Sequence, residues 1–589
     1  MTFRAPVGDI AFSLRHIAGL DEMTRSGLLG DLSPDMVDAI LAEAGKFTEE
    51  ELAPLNAIGD REGCRLSDGA VTTARGWKDA YQRWREAGWN GVSAPSEWGG
   101  QELPVMLHVA LQELWNAGSA AFAVGPMLTA SAIEALTAHA SPESKALYLP
   151  CLVSGEWMAT MNLTEPQAGS DLGALRSRAE PAGDGTYRIF GQKIFITYGE
   201  HDLTENIVHL VLARLPDAPP GTSGISLFLV PKFLPKDDGS PGERNDLLCA
   251  GIEEKLGIHG SPTCTMIYGE KGGAVGWLIG EENRGLNAMF TMMNIARLTV
   301  GIQGVGVAAR AYDQALAYAR ERLQGRAPGA PAGTMSPIVE HPDIRRMLLR
   351  MKALTAASRA ICHACAHAID MSRRGPEGER PAWADRASLL TPLAKSFSTD
   401  SAIEVASLGI QVHGGTGYIE ETGAARHLRD ARIFAIYEGT NGIQAIDLVM
   451  RKLRLGDGDV ARRLISELSE ESVSASGRED FGRTGPALKA ACENLTQATD
   501  TMTGFLATKR ERDALAVATP YCRLFALTVG GALLAKGALA AGNSSEGRTW
   551  TPLARFFAET MLGETAMLRA EINEGGKGME AAAIHLQGN

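Results

Sequence analysis

Cysteine is scarce, with 8 in 589 residues. That density excludes a disulfide framework. An excess of basic charge is missing too. Lysine and arginine number 57 against 70 aspartates and glutamates, a net charge of −13. Such a balance argues against nucleic acid as the main partner, because phosphate binding needs basic surface, although a local basic pocket for a phosphorylated ligand stays open. No continuous apolar region or cleavage-like signal follows Met1-Thr-Phe-Arg-Ala-Pro, so no export signal is expected, and a bacterial-type cytoplasmic location is. The one membrane-like run, 524–541, is interrupted by Lys536 and rich in alanine and glycine. It reads as a buried bundle helix, and no membrane span is expected. There is no internal repeat. Cys362-His-Ala-Cys-Ala-His367 has the look of metal ligands, but no second ligand pair accompanies it. A zinc site wants four ligands, so these read as small core residues and no metal is expected. Gly301-Ile-Gln-Gly-Val-Gly306 does not follow a strand. It reads as close helix packing, not as a dinucleotide loop.

What is present is enough chain for three or four domains. Hydrophobic residues make up 45% and charged residues 22%, as in an ordinary soluble globular protein. Residues 1–155 have helical spacing. Ser33-Pro34 starts one helix, with Ser33 as N-cap and Pro34 in its first position. Residues 156–280 change texture, to short apolar strands between Gly, Pro and Asp turns, the pattern of a β-barrel or sandwich. From 281 to 455 the spacing is helical again and fits a four-helix bundle, with a Gly/Pro-rich loop at 324–338. There a helix over 392–409 is expected, with Thr391 as N-cap and Pro392 in its first position. Residues 456–589 form an extension: a polar linker at 466–484, then helical segments near 487–510, 514–541 and 551–572. The predicted class is α+β, mainly α: an N-terminal helical domain, a middle β-barrel domain, a C-terminal four-helix bundle and an additional helical domain.

The stretch that organises the chain is Arg429-Asp430-Ala431-Arg432-Ile433-Phe434-Ala435-Ile436-Tyr437-Glu438-Gly439-Thr440-Asn441. An apolar run delivers one carboxylate, Glu438, and desolvation beside such a run suits a base of raised pKa. Gly439 allows a ligand close to the backbone. Thr440 and Asn441 can hydrogen-bond a polar ligand. From chemistry alone, a helix start capped by Thr440 or Asn441 carries somewhat more weight than a site.

This stretch resembles the C-terminal signature of the acyl-CoA dehydrogenase family, and it does not stand alone. Met161-Asn-Leu-Thr-Glu-Pro-Gln-Ala-Gly-Ser170-Asp resembles the family's flavin-binding loop. Gly191-Gln-Lys-Ile-Phe195-Ile-Thr197 resembles its flavin-side strand, and Gln411-Val-His-Gly-Gly-Thr-Gly417 its glycine-rich loop. The likeness spans about residues 35–455. The opening and the helical tail resemble a longer subgroup of the family.

The resemblance implies FAD as cofactor and an acyl-CoA thioester as substrate. Glu438 would be the catalytic base that removes the α-proton, and the β-hydrogen would pass to the flavin, leaving a 2,3-enoyl-CoA. Met161, Leu163, Thr164, Ser170, Phe195, Ile196 and Thr197 would contact the flavin, joined by Thr440 and Asn441. Arg322 would pair with its pyrophosphate. Gln411, Gly414 and Gly415 would hold the ADP half of a neighbouring subunit's flavin, which implies a homo-oligomer, dimer or tetramer. Ser170, Asn294, Arg297 and Gly439 would face the substrate. Electrons would go to an electron-transfer flavoprotein. The subgroup points to 3-(methylthio)propanoyl-CoA. Alternatives are a short or medium, straight or branched acyl-CoA, or an acyl-CoA oxidase that uses oxygen. A DNA-associated relative of this fold would carry a basic tail. Here residues 456–589 hold 14 basic against 17 acidic residues, so that reading is not favoured.

Overall fold

A computed structural model describes residues 3–236 and 239–586. The chain forms two compact units. The helical unit takes residues up to 46, 105–117 and 297 onward, and the sheet unit takes 47–104 and 118–296.

In the sheet unit eight strands make one mixed sheet. They are β1 (Trp157–Asn162), β2 (Arg178–Pro181), β3 (Tyr187–Thr197), β4 (Asn206–Ala213), β5 (Ser226–Pro231), β6 (Leu247–Ile252), β7 (Thr263–Tyr268) and β8 (Ala274–Ile279). The order is β6-β7-β3-β8-β5-β4-β1, with β2 added beside β3. Among the described strands of this sheet, only β1 and β4 pair in parallel. The expected barrel is thus an open path of backbone pairing among the described residues. β1, β4 and β5 are buried at every position, which explains why they read as continuous apolar runs and not as alternating ones. Ile189, Val211, Phe228, Val230 and Met266 form the core of the sheet.

Long helices dominate the rest: α1 (Val105–His139), α2 (Gly285–Glu321), α3 (Pro342–Arg374), α4 (Arg380–His413), α5 (Ala424–Phe434), α6 (Asn441–Asp447), α7 (Asp459–Ser476) and α8 (Ala518–Ala541). Glycines let α2 lie close to its neighbours. A Cβ on Gly301 would come within 2.7 Å of the Ala394 carbonyl of α4, and one on Gly304 within 2.9 Å of the Ser398 carbonyl. Cys362 and Cys365 are buried where α3 meets α4. Their sulfurs lie against the Ser398 and Thr391 hydroxyls. Across the helical unit, Asp370 of α3 accepts from the Val105 and Met106 N–H groups at 2.8 Å and so caps the start of α1.

Three expectations change. Pro392 lies inside α4, which begins at Arg380. The Thr391 hydroxyl, expected to cap a helix start, instead donates to the Ala387 carbonyl one turn back. Ser396 does the same to the Pro392 carbonyl. The proline costs one backbone bond, but the helix is held on both sides of it by a buried face running from Leu389 to Ala402. The polar stretch at 466–484 is not a linker, since α7 runs through it to Ser476. Its buried positions Leu464, Ile465, Leu468, Ser472 and Ala475 recur at helical spacing among charged neighbours. Finally, α1 as well as α8 is long and apolar enough to cross a bilayer, and both are mostly buried inside the protein. α1 is interrupted at Ser119, whose backbone is extended.

The extension packs on its own bundle. Gly530 of α8 approaches Ala357 of α3, and the Cys522 sulfur sits 3.1 Å from the Ser396 hydroxyl of α4. Trp550 stacks on Phe12 at 4.1 Å, so the extension also holds the N-terminal segment.

Candidate active site

In the helical unit, α5 ends at Phe434 and the chain turns before α6 begins at Asn441. Both central residues of the turn have left-handed backbone, Glu438 with φ 56° and Gly439 with φ 81°. Gly439 suits this without strain, whereas Glu438 does not, and strain of this kind persists only where surrounding contacts hold it. The contacts are visible. Gln444 Nε2 donates to the Glu438 and Gly439 carbonyls at 3.3 and 3.2 Å. Lys395 Nζ, from α4, donates to the Gly439 carbonyl at 2.9 Å. Tyr437 donates to Gln303 of α2. Thr440 caps α6 by accepting from the Ile443 N–H at 3.2 Å.

The Glu438 carboxyl accepts no hydrogen bond among the described residues. Desolvation therefore dominates its ionisation and pushes its pKa up to about 7, against the pull of Arg297 and Lys395. Arg297, buried on α2, lies 3.6 Å from Asp447 of α6. Burial and its neighbours leave it a cation beside the carboxylate. Asn441 turns its amide inward. It accepts from Lys395 Nζ at 2.9 Å and donates to Thr399 at 2.9 Å and Asp400 at 2.7 Å. Its side chain is occupied by the protein, and its backbone N–H donates to the Ala435 carbonyl at 3.1 Å.

Arg322 and the glycine-rich loop gather elsewhere in the helical unit. Tyr318, one turn before Arg322, stacks on His413 at 4.5 Å, and Thr416 donates to the Tyr318 hydroxyl at 3.2 Å. Gln411, Gly414, Gly415 and Arg322 are all exposed. Added Cβ atoms on Gly414 and Gly415 would meet nothing within 4 Å. Lys395 and Gln411 are 16 residues apart on α4, about 24 Å along its axis. This cluster is therefore separate from the Glu438 turn.

In the sheet unit, Met161 is buried near the end of β1, with Leu163 and Thr164 half-buried behind it. The Thr164 carbonyl accepts from the Ile194 N–H of β3 at 2.9 Å. Phe195 is 57% exposed although it lies in a strand, and its φ is 61°. Ile196 beside it is buried, and the Thr197 carbonyl accepts from Thr160 at 2.6 Å. Ser170 is exposed in the loop that follows. Asn294 is exposed on α2, three residues before Arg297. His259 makes structural contacts, to the Asp60 and Lys255 carbonyls.

The sequence reading missed the two buried lysines that anchor these motifs. Lys193 of β3 donates to Glu165 at 2.8 Å and to the Leu163 carbonyl at 3.0 Å, tying the 161–171 loop to its strand. Lys395 anchors the Glu438 turn. Each is a lone cation in an apolar run, the same signal that singled out Arg297.

The helical unit thus holds a carboxyl of raised pKa on a strained turn and an open glycine loop, and the sheet unit an exposed aromatic on a strand. Family models match in chain order. The acyl-CoA dehydrogenase N-terminal domain covers 35–156, the middle domain 160–270 and the C-terminal domain 283–453. A model described as acetyl-CoA dehydrogenase C-terminal like covers 464–582. The chain belongs to the acyl-CoA dehydrogenase family, and it is an FAD-dependent oxidoreductase acting on acyl-CoA. Among its relatives, 3-methylmercaptopropionyl-CoA dehydrogenase of Ruegeria pomeroyi is 48% identical over 498 residues, 85% of this chain and 83% of the relative. A butyryl-CoA dehydrogenase of Syntrophomonas wolfei is 34% identical over 550 residues, 91% of this chain and 90% of the relative. In fold the chain is similar to Caenorhabditis elegans ACDH-11 in complex with C11-CoA, with TM-score 0.79 at 22% identity over 95% of this chain and 92% of that one.

Proposed function

We propose that Glu438 is the base that removes the α-proton of 3-(methylthio)propanoyl-CoA, giving 3-(methylthio)acryloyl-CoA. The observation that carries the role of Glu438 is its carboxyl, raised to about 7 with no hydrogen-bonded partner. Acid and carboxylate forms then coexist near neutral pH, as a general base requires. The Glu438 N–H also donates to no backbone carbonyl among the described residues, so it is available to the thioester carbonyl, where charge develops. Arg297 beside the carboxylate and Gly439 next to it complete the substrate side in the helical unit, and Asn294 and Ser170 are further proposed substrate contacts.

The residues present fit FAD. Phe195 offers an uncovered apolar face beside Met161, Leu163, Thr164, Ile196 and Thr197, which suits a planar ring. Thr440 and Asn441 are further proposed flavin contacts, on the family likeness of their motif. Exposed Arg322 can grip a pyrophosphate bidentately, and the open cradle at Gln411, Gly414 and Gly415 leaves room for an ADP half. When bound, FAD supplies the acceptor for the β-hydrogen. The distance of the glycine cradle from Glu438 supports its use by a neighbouring subunit's flavin, and hence a homodimer or a larger homo-oligomer. We place the domain boundaries near 155, 280 and 455, the protein in the cytoplasm, and an electron-transfer flavoprotein as the acceptor.

The Ruegeria pomeroyi relative supports the methylthio substrate, and the butyryl-CoA relatives make a straight short chain its competitor. Anaerobic bleaching of the flavin band by a panel of acyl-CoAs decides between them. Fastest bleaching by the methylthiopropionyl thioester is expected. Faster bleaching by butyryl-CoA would discard that substrate and keep the reaction.

A further inference from the structure

The buried amine of Lys395 is not accounted for by the reaction as described, and it is bonded to the turn that carries the base. It is fully buried on α4. It spends two hydrogen bonds, each 2.9 Å, on the Gly439 carbonyl and the Asn441 side chain, and none on a carboxylate. Burying an ammonium without a direct ion pair is costly. A hydrophobic side chain would fill the same space more cheaply if packing were all that was needed. The two acceptors it does choose lie in the strained turn and at its exit: Gly439 follows Glu438 directly, and Asn441 opens α6.

We propose that Lys395 is a positioning residue for the base: it clamps the Glu438–Gly439 turn through the Gly439 carbonyl and sets a cation against the Glu438 carboxylate. This rests on Glu438 being the base.

The charges around the pair favour that role. Glu438 faces Arg297 and Lys395. Lys395 faces Glu438, Asp400 and Arg297. Behind them, Arg523 of α8 and Arg432 of α5 face Asp400, and Arg451 and Lys452 face Asp447, the partner of Arg297. The neutral titratable groups packed nearby are the Tyr437 phenol and the thiols of Cys522 and Cys362, all raised by burial. Burial also lowers Lys395, to about 7, so it changes charge in the same range as Glu438. Because unlike charges stabilise each other, Lys395 favours the carboxylate form of Glu438. Its loss moves deprotonation of Glu438 to higher pH.

The test is hydrogen exchange at the substrate α-carbon, which reads proton abstraction without net oxidation. Holoenzyme with its flavin reduced is incubated anaerobically with acyl-CoA in deuterated buffer, and α-deuterium is followed by mass spectrometry from pH 6 to 10. Lys395→Met, Lys395→Arg and Glu438→Gln are compared with the parent, and flavin absorbance checks that each holds FAD. In Lys395→Met the rise of exchange with pH should move up by about 1 unit, so exchange falls roughly fivefold near pH 7, approaches a tenfold loss at lower pH and recovers in alkali. Lys395→Arg keeps the charge and should restore the pH position while remaining slower. A uniform slowing of Lys395→Met at every pH, or no change, overturns the proposal. Undiminished exchange by Glu438→Gln overturns the assignment of the base itself, whatever the lysine variants do.

Discussion

Two buried lysines stand near two glutamates in this protein, and the glutamates end at opposite extremes. In the sheet unit Glu165 is buried, which by itself would raise its pKa. Lys193 at 2.8 Å and the Arg176 and Ser177 N–H groups at 2.6 and 3.0 Å all donate to its oxygens, and they hold it at about 2. In the helical unit Glu438 also has a lysine and an arginine nearby, yet it stands at about 7. The difference lies in where the donors point. Lys395 gives its hydrogen bonds to a carbonyl and an amide beside the carboxylate, and Arg297 turns to Asp447. A carboxylate that accepts several hydrogen bonds is fixed as an anion, whereas one that only feels neighbouring charge is left free to take a proton. The first arrangement holds a loop. The second suits a base.

The comparison breaks if the two sites respond alike to substitution. The largest effect expected is on Glu438→Gln: turnover should fall at least about 100-fold while FAD absorbance is kept. The same change should not destabilise the fold. A carboxyl whose folded pKa lies above its unfolded value costs stability as pH rises from the unfolded value, 4.5, towards about 7. The variant should therefore gain on the parent over that window in thermal melts. Lys193→Met should do the reverse. It strands the Glu165 carboxylate and should cost about 3–5 kcal/mol in denaturant unfolding. The double change with Glu165→Leu should recover most of that loss, and failure to recover would remove the pair from its structural role. Gly439→Ala sharpens the contrast at the turn. Its φ is 81° and a Cβ would stand 2.8 Å from Gln444 Nε2, so about 1–2 kcal/mol of strain and a fall in turnover are expected. Gly414→Ala should be mildest for turnover. Nothing lies within 4 Å, so only the backbone cost remains, about 1–3 kcal/mol because φ 62° with ψ −143° is a region that favours glycine, and it is read by thermal melting with little loss of turnover.

Much of the fold was legible locally. Ser33 accepts from the Met36 N–H as an N-cap should, the helical segment expected near 487–510 is observed over Thr484–Ala507, and the short strands lie where the apolar runs are. Thr440 shows how two local readings coexist: it is the N-cap that chemistry allowed, and it stands two residues after the carboxylate that the motif marked. Two of the errors share a source. Pro392 and the polar face of 466–476 carry strong local signals for breaking a helix, but burial of Leu389, Leu393, Leu464 and Leu468 outweighs them.

The amino-acid sequence by itself determined the order of helices and strands, the family, and the glycine, carboxylate and hydroxyl of the Glu438 turn, because each depends on residues that are neighbours along the chain. Only the tertiary structure decided what that carboxylate can do. Its pKa follows from the water excluded around it and from the aim of Arg297 and Lys395, 141 and 43 residues away in the chain. Desolvation and the direction of a hydrogen bond exist only once distant segments have packed together.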